Sequence, residues 1–135
     1  MPTTSGVWRR ALAVWLLIIL AETVHGILRG LFLVPVLGDF RSRQVSVGSG
    51  ILIIFAITYL CIRWIGASTR STLLRIGAVW GVLTLCFEGL IGWATGASWE
   101  RMLSDYRIDQ GGLLGFGMCL LVLSPWLAYR LRSRP

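Results

Sequence analysis

The chain has 135 residues, of which 14% are charged and 56% hydrophobic, and its mean hydropathy is +0.74. A soluble domain normally carries about 25% charged residues, so a water-soluble globular class is excluded, and the length leaves no room for a separate soluble domain. The net charge of +7 and sequence pI of about 10.7 would suit a nucleic-acid partner, but the charges fall at the ends of apolar segments rather than in one patch, and no nucleic-acid role is expected.

A transmembrane helix needs roughly 20 mainly apolar residues. Four such stretches occur, at about 8–33, 48–64, 74–96 and 112–130. The first opens with Arg9 and Arg10, as a signal peptide does. Its apolar run continues through Phe32 and Leu33, too long for a signal core, so it is expected to stay as a membrane anchor.

Within it, "LIILAETVHGILRGLFL" (17–33) carries three ionisable groups. Glu22, His25 and Arg29 are spaced by three and four residues and share a helical face. Ionisable groups at mid-membrane are expensive and usually mark ion paths, proton relays or ligand sites. Gly26 and Gly30 form a small-xxx-small face of the kind that lets helices approach closely in lipid. Pro35 is expected to end the helix, and "PVLGDFRSRQ" (35–44) to be an outer loop.

The third stretch repeats the device, with Glu88, Gly92 and Gly96. "SWERMLSDYRIDQGG" (98–112) follows it and reads as a short amphipathic helix with Ser98 as N-cap candidate. Trp99 would face lipid or the bundle, and Glu100 water. Cys61, Cys86 and Cys119 lie inside apolar stretches without metal-ligand spacing and read as packing residues.

All 13 basic residues are Arg. Eight (Arg9, Arg10, Arg63, Arg70, Arg75, Arg130, Arg132, Arg134) fall at one set of helix ends. Five (Arg29, Arg41, Arg43, Arg101, Arg107) fall at the other, offset by Asp39, Glu100, Asp105 and Asp109. Excess Arg marks the cytoplasmic side, so both termini are expected there, in agreement with an even number of spans.

The chain also matches itself. Shifted by 66 residues, Glu22 falls on Glu88, Gly26 on Gly92, Gly30 on Gly96, Asp39 on Asp105, Phe40 on Tyr106, Arg41 on Arg107 and Gln44 on Gln110. Overall identity is low, but four of the six acidic residues pair. The fold expected is therefore an all-α integral membrane four-helix bundle built from two tandem two-helix hairpins, repeat 1 at about 9–64 and repeat 2 at about 75–130. Parallel repeats of this kind are related by an axis along the membrane normal. Glu22 and Glu88 would then lie at one depth, where the first and third helices cross on their glycines.

Two nearby carboxylates in a low dielectric resist double ionisation. Such a pair can carry a proton or offset a cation, and His25 can extend the relay because imidazole titrates near neutrality. The alternative is a carboxyl–carboxyl hydrogen bond that only holds the bundle. Glu22-x-x-His25 resembles the ligand motif of di-metal bundles, but the second unit has Ile91 where the first has His25. A single-metal site from Glu22, His25 and Glu88 stays open as an alternative. Asp39, Arg41, Gln44, Asp105, Tyr106, Arg107 and Gln110, with Trp99 and Glu100, would form outer salt bridges or a gate. No catalytic triad, phosphate loop or dinucleotide fingerprint is present, so an enzyme is disfavoured and no cofactor is implied.

The stretches "ETVHGILRGLFL", "LGDFRSRQ", "FEGLIGW" and "SWERMLSDYRIDQGGLL" resemble a group of small bacterial four-helix membrane proteins to which no activity is attached. The resemblance spans most of the chain and implies a bacterial inner-membrane location. The functions expected are, first, a proton- or cation-linked channel or transporter using the glutamate pair, second, a non-transport accessory subunit of a membrane complex and, last, an intramembrane enzyme acting with a metal or on a lipid. Beyond the lipid bilayer, the partners expected are further copies of the chain or a larger membrane protein.

Overall fold

A computed structural model describes residues 4–96, 100 and 114–132. It is all-helical among these residues. Helix α1 covers Thr4–Leu28, a π-helical turn covers Arg29–Leu33, α2 covers Val34–Ile65, α3 Arg70–Ala94 and α4 Leu114–Arg132. Three continuous segments, Ser5–Gly38, Arg41–Ile65 and Arg70–Ala94, are long and apolar enough to cross a membrane. Helix α4 has 19 residues, about 28 Å of axis at 1.5 Å per residue.

The first helix does not stop at Pro35. Proline removes an N–H and pushes its ring against the carbonyl four residues earlier. The π turn at Arg29–Leu33 directly precedes it, and such a turn widens the helical ladder by one residue. The helix thereby passes the proline and ends at Gly38, whose φ of 81° and ψ of 167° break the helical path. Side chains rarely adopt that φ, which glycine takes freely. Ser42 Oγ then donates to the Gly38 carbonyl at 2.7 Å. Most of 35–44, expected to be a loop, is therefore helix around one tight break.

The other visible ends use ordinary chemistry. Gly66, at φ 83°, caps α2 with its N–H on the Ile62 carbonyl at 3.3 Å. Thr69 accepts from the Thr72 N–H at 3.2 Å to start α3. Gly96, at φ 75°, lies just past α3 and donates to the Trp93 carbonyl at 3.2 Å. It is a helix stop rather than a packing glycine.

Helix α1 packs on α2, α2 on α4 and α4 on α3, while α1 and α3 meet over a shorter stretch. The closest approach is between α3 and α4. A Cβ on Gly77 would overlap the Val122 carbonyl, and one on Gly81 would stand 2.8 Å from Val122 Cγ2. The small-xxx-small contact is thus G77-x3-G81. Among the described residues Gly26 and Gly30 have nothing within 4 Å of a would-be Cβ. Gly92 is buried.

The apolar core lies toward the end that holds both chain termini. It comprises Val7, Ala11, Val14 and Ile18 of α1, Ile62 and Ile65 of α2, Leu73, Ile76 and Trp80 of α3, and Leu121 and Ala128 of α4, with Ala67 between helices. Two indoles pin α1 to α3 there. Trp80 Nε1 donates to the Ala11 carbonyl and Trp15 Nε1 to Thr84 Oγ1, each at 3.0 Å.

At the rim of this end, arginines cover aromatic rings. Arg10 lies over Trp64, Arg70 and Arg130 over Trp126, and Arg132 over Tyr59, all within 5.6 Å of the ring centre. Arg132 also donates to the Tyr59 and Leu60 carbonyls at 2.7 and 2.9 Å. Arginine near a helix C-terminus suits both its free carbonyls and its dipole, and the interface suits the rings.

Candidate functional site

Glu22 and His25 face α2 from one side of α1. The Glu22 carboxylate rests on Gly50: its Oε2 lies 3.1 Å from the position of a Cβ there. A side chain at this position would press on the carboxylate. His25 Nε2 is 2.7 Å from Ser49 Oγ, and His25 Nδ1 is 3.7 Å from Glu22 Oε2. Both imidazole nitrogens thus look onto polar partners, which fixes the ring between the carboxylate and the hydroxyl.

Glu88 on α3 lies within electrostatic reach of Glu22. The contact between α1 and α3 is not made on Gly26 and Gly30, however. It is made lower, by the Trp80–Ala11 and Trp15–Thr84 hydrogen bonds. Thr84 stands one turn before Glu88, so the indole clamp lies directly beneath the carboxylates.

Toward the Gly38 end the polar character continues. The α1–α2 pair runs antiparallel, so Arg29, one turn past His25, stands level with Ser46, about one turn before Ser49. Arg29 lies in electrostatic reach of His25. Arg43 and Ser46 are buried, at 6% and 7% exposure, on the α2 face that also carries Gly50. A ladder results: the carboxylates at the bottom, then His25 and Ser49, then Arg29 and Ser46, then Arg43. Below it lies the apolar core.

Ser42, Arg43, Ser46, Ser49 and Gly50 were not anticipated. The available signal was a small polar stripe, S42-x3-S46-x2-S49-G50, in a segment otherwise rich in Ile and Leu. Arg41 and Gln44, expected at an outer gate, are exposed on α2, and Glu100 is exposed. The Asp39 side chain and Trp99, Asp105, Tyr106, Arg107 and Gln110 lie outside the described residues, and so does Ser98. Among the described residues no group of three His, Cys, Asp or Glu side chains converges to hold a metal. Glu22, His25 and Glu88, all described, do not form such a group.

A crevice of about 130 Å³ between α2 and α4 is lined by Ile51, Leu52, Ile54, Phe55, Leu120, Ser124 and Leu127. It includes none of the ladder residues and offers hydrocarbon only. Comparison with protein-family models, with curated proteins and with solved structures finds no match for this chain.

Proposed function

We propose that this chain is a small bacterial inner-membrane protein that takes up protons on the Glu22–Glu88 pair as part of a proton-linked channel or transporter. The observation that carries this reading is the ladder itself: ionisable and hydroxyl side chains lead from the Gly38 end to two coupled carboxylates, and a packed apolar plug with two indole clamps closes the way beyond them. Two carboxylates that share a low-dielectric site resist double ionisation, which is the property of a proton store. Arg29 and Arg43 above them disfavour a metal cation as cargo.

In this reading α4 is a fourth span, and both termini lie in the cytoplasm, where the arginine-covered rings at Trp64, Trp126 and Tyr59 would meet the headgroups. The tandem repeat is supported by the neighbour pattern, since exchanging α1 with α3 and α2 with α4 leaves it unchanged. Thr58 and Ser124, 66 residues apart, add to this. Both are buried and both donate to a carbonyl of their own helix at 2.7 Å. Much of each span is uncovered by the rest of the chain, and four helices leave little room for a continuous path, so the working unit is an oligomer.

The test is proton flux in liposomes containing a pH-sensitive dye. Wild-type protein should dissipate an imposed gradient, and Glu22→Gln/Glu88→Gln protein should not. A second reading, an accessory subunit of a larger complex, is favoured by the open Gly26/Gly30 face of α1. It would take the lead if the double variant stayed folded and supported full function in cells.

A further inference from the structure

Among the described residues four buried polar atoms of the ladder make no hydrogen bond: Nε of Arg29, Oγ of Ser46, Oε1 of Glu22 and, at the top rung, Nε of Arg43, and the first three bear on one place. Ser46 as a whole is only 7% exposed. An unsatisfied buried polar atom is costly and calls for an explanation, an unseen water or ion being one.

Register sets the Arg29 and Ser46 atoms level in one slot, with Glu22 Oε1 on the rungs below. The His25–Ser49 and Glu22–Gly50 contacts set α1 against α2, and one turn farther toward Gly38 brings Arg29 level with Ser46. Ser46 is also four residues before Gly50, on the helix face that the Glu22 carboxylate covers, so its hydroxyl is aimed at α1. Among the described residues no carboxylate pairs with Arg29; Glu22 faces His25 instead. The slot thus presents a guanidinium N–H and a hydroxyl as donors beside one fixed positive charge. A carboxyl group of the glutamate pair, when it holds the proton, adds a third donor. Water can accept from these groups but leaves the Arg29 charge uncompensated in a low dielectric.

We propose that the slot between Arg29 and Ser46 binds a small monovalent anion, of halide or formate size, next to the Glu22–Glu88 pair. This rests on the proton reading above for its coupling: an anion and a proton bound side by side cancel each other's charge, so the pair is cheaper to hold or move within the membrane than either ion alone.

The probe is radiolabelled chloride, bound to purified protein in an uncharged maltoside detergent. Saturable binding is expected, weakened about tenfold or more in Ser46→Ala and Arg29→Gln, because hydrogen bonds to an ion are the stronger class. Ser46→Ala is the smaller change. Its melting curve in gluconate should match wild type, while the upward shift of the melt with chloride should shrink. Absent binding, or binding equal in wild type and both variants, overturns the slot. So does stabilisation by phosphatidylglycerol without chloride binding, which would make Arg29 a lipid-phosphate contact. Chloride binding without wild-type proton flux in liposomes leaves the slot standing and removes the proton reading. Proton flux that is unchanged when gluconate replaces chloride on both sides, without chloride binding in detergent, removes the slot and leaves the proton reading.

Discussion

The Glu22 carboxylate lies against Gly50 across the α1–α2 interface, 3.1 Å from the place a Cβ would occupy. A methyl group there meets the end of a flexible side chain, which can yield a few tenths of an ångström. Gly50→Ala should therefore be close to neutral, since helix propensity returns about 0.5–1 kcal/mol. Gly50→Leu should cost about 1–3 kcal/mol as overpacking, push the carboxylate away and abolish proton flux. A Gly50→Leu protein that conducts like wild type would show that the carboxylate need not sit there.

The glutamate pair gives an ordered series. Gln donates and accepts, so Glu22→Gln/Glu88→Gln can keep an interhelical hydrogen bond but cannot titrate. The melt should stay near that of wild type while flux disappears. Leu at both positions removes both polar groups and should fold with a modest loss. Glu22→Leu alone should be least stable, by about 1–3 kcal/mol, because His25 and Glu88 lose their neighbour. Melts in detergent that rank the double Leu variant below the single one would contradict this order.

The glycines divide sharply. Gly77→Ala drives a methyl into the Val122 backbone, and neither side can move without parting α3 from α4, so a loss of several kcal/mol or failure to fold is expected. Gly26→Ala and Gly30→Ala meet nothing among the described residues and should leave the monomer's melt unchanged or raise it by about 1 kcal/mol. Cross-linking in membranes reads the other half: loss of an oligomer in these two variants, with the fold intact, would mark the open face as the contact between subunits.

The indole clamp can be measured by a cycle of Trp15→Phe and Thr84→Val. Hydrogen bonds between membrane helices average about 0.6 kcal/mol in such cycles, so a coupling of that size is expected. Trp80→Ala should be far worse, about 3–5 kcal/mol, since Trp80 is fully buried and fills the plug. A milder Trp80→Phe should fold and leak protons faster than wild type; an unaltered leak would mean that the plug does not limit passage.

Orientation follows from reporters. Alkaline phosphatase fused after Arg132 should be inactive, and a fusion after Gly38 active. The reverse result would put the ladder's open end in the cytoplasm.

Much of the frame was legible. Unbroken apolar runs with few charges mark spans whatever surrounds them, and Glu22, His25 and Arg29 stood out because ions in lipid are rare. The crossing of α1 and α3 was misjudged for a physical reason. G26-x3-G30 and G77-x3-G81 are the same pattern, and only the neighbouring helix decides which is used. The residues that complete the site, Ser46, Ser49 and Gly50, carry no charge and resemble ordinary small residues of a membrane helix. The turn at Pro35 failed as an expected stop because a π turn can shelter a proline, and nothing in the local sequence announces it.

The length of the first span has a bearing on the membrane itself. Thirty-four residues from Ser5 to Gly38 extend about 51 Å at 1.5 Å each, against a hydrocarbon layer of about 30 Å. The two spans of 25 residues reach only about 37 Å. With Arg10 at headgroup level, the part to be covered runs from Ala11 to Gly38, about 42 Å, and tilt alone would need a lean at the usual limit of about 40°. Leu31, Phe32 and Val36 on the last turns are exposed and apolar. The first span must therefore lean strongly, be met by a thicker bilayer, or bend along the headgroups beyond the π turn. The protein should therefore be sensitive to acyl-chain length, with its melt in nanodiscs rising as the lipid tails lengthen.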